Sequence, residues 1–309
     1  MSPRAAAAEV GFDLGVYLDG ERAHVEPALD RALQDGCQSL PRGVADAIRH
    51  GVTSGGKRLR PILCATAYRA CGGTAEASAV YDLAVSLELI HAYSLMHDDL
   101  PCMDDADLRR GRATTHRLHG VEATVLGGAA LIPMAVLMAW RGTLALGCAE
   151  DVARRVAREL AGAAGAGGMV GGQALDLLGE GRDLTEEELD TLHRLKTGAL
   201  LTASLRMGAL AAGAGREALD ALDEYGRAVG LAFQIADDVL DATSTAGDLG
   251  KNPSDAALGK STYVTLHGLD EALRRGHELV ESARAALDAG GLRAPALHAI
   301  ARFVMERSS

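Results

Sequence analysis

Ten residues, Asp98-Asp99-Leu100-Pro101-Cys102-Met103-Asp104-Asp105-Ala106-Asp107, carry five carboxylates. A second acidic group, Asp237-Asp238-Val239-Leu240-Asp241, follows the apolar stretch Phe233-Gln234-Ile235-Ala236. Asp237 and Asp241 stand at i, i+4, with Gln234 one turn earlier, so a helix puts all three on one face. Two carboxylates about 4 Å apart repel by roughly 4 kcal/mol at an effective dielectric of 20. Held among apolar neighbours, they need a cation. Oxygen donors alone suit a hard divalent ion, and Mg²⁺ binds through one or two carboxylates plus substrate phosphates. A single cluster of this kind reads as a solvated helix end; two on apolar helices read as a metal-assisted phosphate site.

The basic residues point the same way. Of 31 Lys and Arg, only Lys57, Lys196, Lys251 and Lys260 are lysines. They lie in Gly55-Gly56-Lys57-Arg58, Lys196-Thr197-Gly198, Gly250-Lys251-Asn252 and Gly259-Lys260-Ser261. These are polar, turn-like or helix-end contexts, where a compact ammonium suits a phosphate oxygen. Arg109-Arg110 adds a basic wall directly after the first acidic cluster.

The elements that must position these groups read as helices. Periodic apolar spacing runs through Val25–Leu33, Val80–Met96, Asp151–Leu160, Leu184–Leu195, Leu219–Leu240 and Leu269–Leu287. On the second of these, His91, Ser94, Leu95 and Asp98 share a face, and Pro101 stops the helix. Thr185 with Glu188 three residues on is a capping box. Breakers fall at Gly72-Gly73, Gly162 to Gly172, Gly179 to Gly181, Gly213 to Gly215 and Ala246 to Pro253. The Gly162–Gly172 stretch reads as a closely packed helix junction, since it lacks the strand and the Lys-Ser/Thr of a phosphate loop.

Composition bounds the remainder. Aromatics are 3% of 309 residues, so the core should be aliphatic. Strand-forming runs are missing, which leaves an all-α chain, read as one domain over 1–309. The net charge of −11 argues against nucleic acid and anionic membranes. Five cysteines without a Cys-x-x-Cys pair argue for a reducing, cytoplasmic setting. No signal peptide is evident at the N-terminus. The uncharged run Ala123–Trp140 contains Gly127, Gly128 and Pro133, and reads as a core or subunit-interface helix rather than a membrane span.

With both acidic clusters and Gly55–Pro61 in place, the sequence resembles the trans-isoprenyl diphosphate synthases from about Leu29 to Arg307. Further matching segments are His91–His116, Gly171–Asp176, Lys196–Leu200, Gly230–Asp241 and Gly259–Tyr263. The resemblance implies a single-domain antiparallel helix bundle around a deep apolar cavity, the isoprenoid synthase type I fold, and a homodimer. It implies Asp98, Asp104 and Asp237 as Mg²⁺ ligands, with Asp99, Asp238 and Asp241 in support. It implies Gly56, Lys57, Arg60, His91 and Arg110 around isopentenyl diphosphate. Arg109, Lys196, Thr197, Gln234, Lys251 and Lys260 would surround an allylic diphosphate.

The implied reaction is head-to-tail condensation by ionisation, alkylation and proton loss. Tyr93 and Ser94, one turn before Asp98, would lie roughly 5.4 Å deeper and set chain length. A Tyr there favours farnesyl diphosphate. Gly128-Ala129-Ala130-Leu131, without the Asp common in farnesyl synthases, keeps geranylgeranyl diphosphate open. Ala113 is a second departure, where the family usually has Pro. A class I terpene cyclase is a more distant alternative; its second metal motif is of another type and its pocket aromatic. A helical metal phosphohydrolase would need more His near the metal, and a non-catalytic synthase subunit would lack an Asp motif.

Overall fold

The computed structural model describes residues 12–243 and 260–306. Lys251 and the Ala246–Pro253 breaker lie outside the described residues. Among those described, fourteen α-helices, one π turn and one two-stranded hairpin follow in sequence. The N-terminal part comprises α1 (Leu14–Gly36), α2 (Arg42–Thr53), α3 (Leu59–Ala70), α4 (Ala77–Asp98), then β1 (Leu108–Arg109) and β2 (Arg112–Ala113). Next come α5 (Thr115–His119), α6 (Val121–Ala145), α7 (Glu150–Ala164), α8 (Met169–Gly179) and α9 (Glu186–His193). The π turn Arg194–Gly198 runs straight into α10 (Ala199–Ala211). After α11 (Arg216–Thr243) come α12 (Tyr263–His267), α13 (Leu269–Ala289) and α14 (Pro295–Glu306).

The expected helices form, and the capping box at Thr185 is present with both of its hydrogen bonds. Helix α10 packs on α3, α7 and α11, while α4 lies between α3 and α6. One apolar cluster joins Leu29, Val85, Leu131, Val156 and Leu200; a second joins Leu205, Tyr225, Leu287 and Leu297. The core is not purely aliphatic, because Tyr81, Tyr225 and Tyr263 are among its largest fully buried side chains. Each donates its hydroxyl inside the protein, to Glu21, the Leu297 carbonyl and Asp190 respectively. A few aromatics therefore fit a mostly aliphatic interior wherever the polar tip finds an acceptor.

The breaker reading of Gly162–Gly172 needs one correction. Helix α8 starts at Met169, so Gly171 and Gly172 are inside a helix. Their purpose is close approach: a Cβ on Gly172 would sit 2.2 Å from the Lys196 backbone nitrogen. From the other side, a Cβ on Gly230 of α11 would sit 2.8 Å from the Gly198 Cα. Two glycines thus let α8 and α11 grip the π turn directly by its backbone. π turns are rare and concentrate at functional sites.

A charge contact completes this grip. Asp176 on α8 accepts from Lys196 Nζ at 2.6 Å and from Lys260 Nζ at 3.2 Å. Burial alone would raise the Asp176 pKa, but the two ammonium groups hold it below its ordinary 3.8. A carboxylate lowered in this way stabilises the fold above its unfolded value, and the contribution is lost as pH falls through the folded value. Asp176→Asn leaves two partly buried lysines facing each other. We expect it to destabilise by about 2 kcal/mol near pH 7. The wild type and the variant should converge in thermal stability as pH drops below 3.8; a gap independent of pH would show that the ion pairs do not hold this region.

Candidate active site

Between α3, α4, α8 and the π turn lies a cavity of about 330 Å³. Arg60, His91, Asp98, Lys196 and Thr197 furnish its polar end. Tyr93, Leu95, Met103, Met169, Val170 and Leu177 supply much of the apolar wall. The expected shared face of α4 is realised, since His91, Ser94, Leu95 and Asp98 all line this space.

The charges in the wall are under tension. Burial, reinforced by Asp104 and Asp99, pushes the Asp98 carboxyl up to about 6 despite Lys196 and Arg109. A carboxylate so placed favours an added cation. Among the described residues, no three His, Cys, Asp or Glu side chains converge closely enough to hold a metal by themselves. Mg²⁺ takes few protein carboxylates and completes its shell with phosphate oxygens and water, and Asp98 is the carboxylate of the cavity lining that would hold it. At the other side, Arg60 Nε is buried without a hydrogen-bond partner. Burial and then the surrounding arginines, Arg60 first, hold the His91 pKa well below its ordinary value. His91 therefore stays neutral while Arg60 and Arg110 carry the positive charge.

The acidic segment and the arginines after it are shaped by backbone geometry. Helix α4 ends at Asp98, and the Asp104 N–H returns to the Asp98 carbonyl at 2.9 Å. This loop brings exposed Asp104 back towards the helix end, as the break at Pro101 suggested. Buried Asp99 turns away and takes a bidentate contact from Arg109 Nε, at 2.8 and 3.0 Å. Arg109 is thus occupied by Asp99. Its neighbour Arg110 (φ 53) and Gly111 (φ 73) form a two-residue turn with positive φ at both positions, the type that matches strand twist. Arg109 pairs with Arg112 and Leu108 with Ala113 across it. Ala113 therefore belongs to the hairpin and does not line the cavity. Arg110 Nη1 donates to the Gly55 carbonyl, and a Cβ on Gly56 would meet that nitrogen at 2.5 Å. Lys57 follows, its ammonium 5.9 Å from the Phe303 ring centroid.

The second acidic cluster occupies the last turns of α11. Asp238 is buried, and its carboxylate accepts the Tyr263 N–H at 2.7 Å at the start of α12. It ties α12, next to Lys260, to the α11 end that carries Asp237 and Asp241. Gln234 Nε2 lies 3.4 Å from His193 Nδ1. Burial drives the His193 pKa down to about 4, so it accepts there as neutral imidazole.

Tyr93 and Ser94 both line the cavity, and the Tyr93 ring stands edge-on to His97 at 4.8 Å. His97 is held by the Val125 carbonyl at 3.2 Å and rests over Gly128, where a Cβ would be 2.3 Å from its Nε2. Ala129 is exposed on the outer side of α6 and takes no part in the cavity wall.

Three residues outside the expected set matter. Asp176 fixes Lys196 and Lys260; it stands in the Gly171–Asp176 segment, but nothing in its spacing announces ionic partners 20 and 84 positions away. Arg58, in left-handed conformation at φ 52, is buried and bonds Glu26, Glu88 and the Val52 carbonyl, which locks the loop presenting Lys57. Gln173 is buried in the cavity wall with both amide atoms unpartnered.

Comparison with known proteins agrees with this geometry. The sequence profile described as Polyprenyl synthetase matches residues 41–288. The chain is 42% identical over 271 residues to the farnesyl diphosphate synthase of Escherichia coli (strain K12), covering 86% of this chain and 89% of that protein. It is 38% identical over 307 residues to the geranylgeranyl diphosphate synthase of Cyanophora paradoxa, covering 97% and 99%. The crystal structure of a geranyltransferase from Legionella pneumophila superposes with a TM-score of 0.82 at 30% identity, over 96% of this chain and 97% of that one. An all-α bundle, a cavity with Arg60, Lys196 and the Asp98 carboxylate at one end, and likeness over nearly the whole chain lead to one conclusion: this protein belongs to the polyprenyl synthetase family and is a prenyltransferase.

Proposed function

We propose that the protein condenses isopentenyl diphosphate with dimethylallyl and geranyl diphosphates, and that its main product is farnesyl diphosphate. The observation that carries this reading is the polarity of the cavity, charged at one end and apolar along Tyr93, Val170 and Leu177. Both relatives named above are short-chain synthases, one of fifteen-carbon and one of twenty-carbon product.

The residues divide the work. Asp98, Asp104 and Asp237 would hold Mg²⁺, whose charge neutralises a departing diphosphate. Lys196, Thr197, Gln234 and Lys260 orient the allylic diphosphate, with Lys196 and Lys260 set by Asp176. Arg60, with its unpartnered Nε, joins Lys57, His91 and Arg110 in holding isopentenyl diphosphate. When the allylic C–O bond breaks, the electron pair leaves with the diphosphate. The isopentenyl double bond then attacks the allylic carbon, and a proton passes to the released diphosphate. The apolar wall keeps water from the cation meanwhile. No protein nucleophile is needed.

Kinetics separate these roles. Activity should vanish in excess chelator and return with Mg²⁺. Asp98→Ala and Asp237→Ala should each lower kcat on the order of 10²-fold, since transition-state charge stabilisation is lost. Lys57→Ala should leave kcat nearly intact and raise the KM for isopentenyl diphosphate roughly tenfold. Near-normal kcat in Asp237→Ala would make the second acidic cluster structural.

Tyr93 is proposed as the floor that stops elongation, braced by its edge contact with His97. Ala129 faces outward, which weakens the argument it offered for a twenty-carbon product. Tyr93→Ala should shift the dephosphorylated products towards twenty carbons or more in chromatography. An unchanged distribution would remove Tyr93 from this role, and a wild type making mainly geranylgeranyl diphosphate would overturn the farnesyl assignment.

Helix α6 is the one described helix long and apolar enough to cross a membrane, and only a third of its most apolar stretch is buried. It packs into the bundle through Gly127, Gly128, Leu131, Ala135 and Ala139. Val121, Val125, Leu126, Ile132, Leu137 and Leu144 are exposed on it. We assign this face to a homodimer interface, an exposed apolar stripe being a typical association surface. Leu126→Lys with Leu137→Lys should halve the mass measured by light scattering; an unchanged mass would place the interface elsewhere.

A further inference from the structure

The π turn has two sides. Lys196 and Thr197 face the cavity described above, whereas Arg194 and Leu195 line a separate cleft of about 570 Å³ behind it. Its other walls come from α7, α10, α11 and the glycine-rich junction before α8. Five arginines line this cleft against two carboxylates, in a chain whose net charge is −11. The two carboxylates are already committed. Glu159 takes Arg206 at 2.9 and 3.0 Å, and Asp223 takes Arg227. The side chains of Arg155, Arg158 and Arg194 make no ion pair or hydrogen bond among the described residues. Arg155 and Arg158 stand at i, i+3 on α7 and so share a face.

Three uncommitted guanidinium groups around one concave space make a strong anion trap, because each offers a planar fork to phosphate oxygens. The apolar part of the lining is Leu195 with three alanines and three glycines, small groups set among five arginines. We propose that it binds a small, soluble, multiply charged phosphate compound, and that occupancy is felt at Lys196 through the π turn. Arg194 is the first residue of that turn, whose backbone Gly172 approaches at Lys196 and Gly230 at Gly198. A ligand drawing Arg194 outward changes the placement of Lys196, and so the affinity for the allylic diphosphate. The binding half stands on the cleft alone; the coupling half rests on the proposed function.

The test uses inorganic tripolyphosphate and the Arg155→Ala/Arg158→Ala double variant. Circular dichroism and thermal unfolding first establish that the variant is folded. Titration calorimetry in chelator at about 0.15 M salt should give a wild-type dissociation constant below about 1 mM, weakened at least tenfold in the variant. Equal binding by both proteins overturns the site, as does wild-type binding weaker than about 1 mM. Sedimentation with anionic phospholipid vesicles separates the sources of phosphate. Loss of vesicle binding in the double variant would assign the cleft to a lipid surface and overturn the soluble ligand. In steady state at fixed free Mg²⁺, tripolyphosphate should change the KM for dimethylallyl diphosphate more in the wild type than in the variant. Competition at the substrate site acts on both alike, so equal shifts overturn the coupling. If neither protein transfers prenyl groups, the proposed function falls, and the calorimetry still decides the cleft.

Discussion

Asp176 shared between Lys196 and Lys260 is the contact on which the catalytic end of this bundle depends. Lys196 arrives on a π turn, Lys260 on the segment before α12, and Asp176 on α8. One carboxylate thus joins three parts of the chain that are far apart in sequence. Two unshielded ammonium groups at this depth would repel each other and face a desolvation cost. Asp176 lies between them and accepts from both. Lys196 in turn is the principal positive influence on Asp98, so the two sides of the site share one electrostatic network.

Close backbone approach makes this network rigid. Gly172 and Gly230 admit α8 and α11 to within contact of the π turn, where any side chain would push them apart. Gly128 does the same for His97 against α6. Buried Asp99 and Asp238 act similarly through bonds rather than space, one fixing Arg109 and the other the start of α12. In each acidic cluster one carboxylate is thereby taken up by the scaffold, while Asp98 lines the cavity.

Much of this was legible from residue types. Five carboxylates in ten residues and four lysines among 31 basic residues are, with the helical periodicity, the signals from which a metal-assisted diphosphate site is proposed. The all-α fold follows from the same periodicity, and the comparisons bear out both fold and family. What sequence could not supply were pairings made by folding. The Asp176 contacts, the Arg58 bonds to Glu26 and Glu88, and the hairpin turn at Arg110-Gly111 depend on partners or dihedral angles that no local pattern encodes. Apolar spacing carries a helix to Leu195 and leaves Lys196-Thr197-Gly198 as a turn-like or helix-end context; the π turn over Arg194–Gly198 gives no signal of its own, because its period differs from 3.6 over only five residues. Ala129 carried weight in sequence because of what it replaces; its outward position on α6 shows that the substitution lies off the cavity.

In the proposed reaction Asp98 and Asp237 grip one diphosphate between them while Lys196 holds its far oxygens. The most direct measurement is a crystal structure of the protein with Mg²⁺ and a non-ionising allylic thiolodiphosphate. The diphosphate should lie between the two acidic clusters, within hydrogen-bond distance of Lys196 Nζ, with the hydrocarbon running towards Tyr93. A diphosphate bound away from either cluster, or a tail pointing out of the cavity, would contradict it.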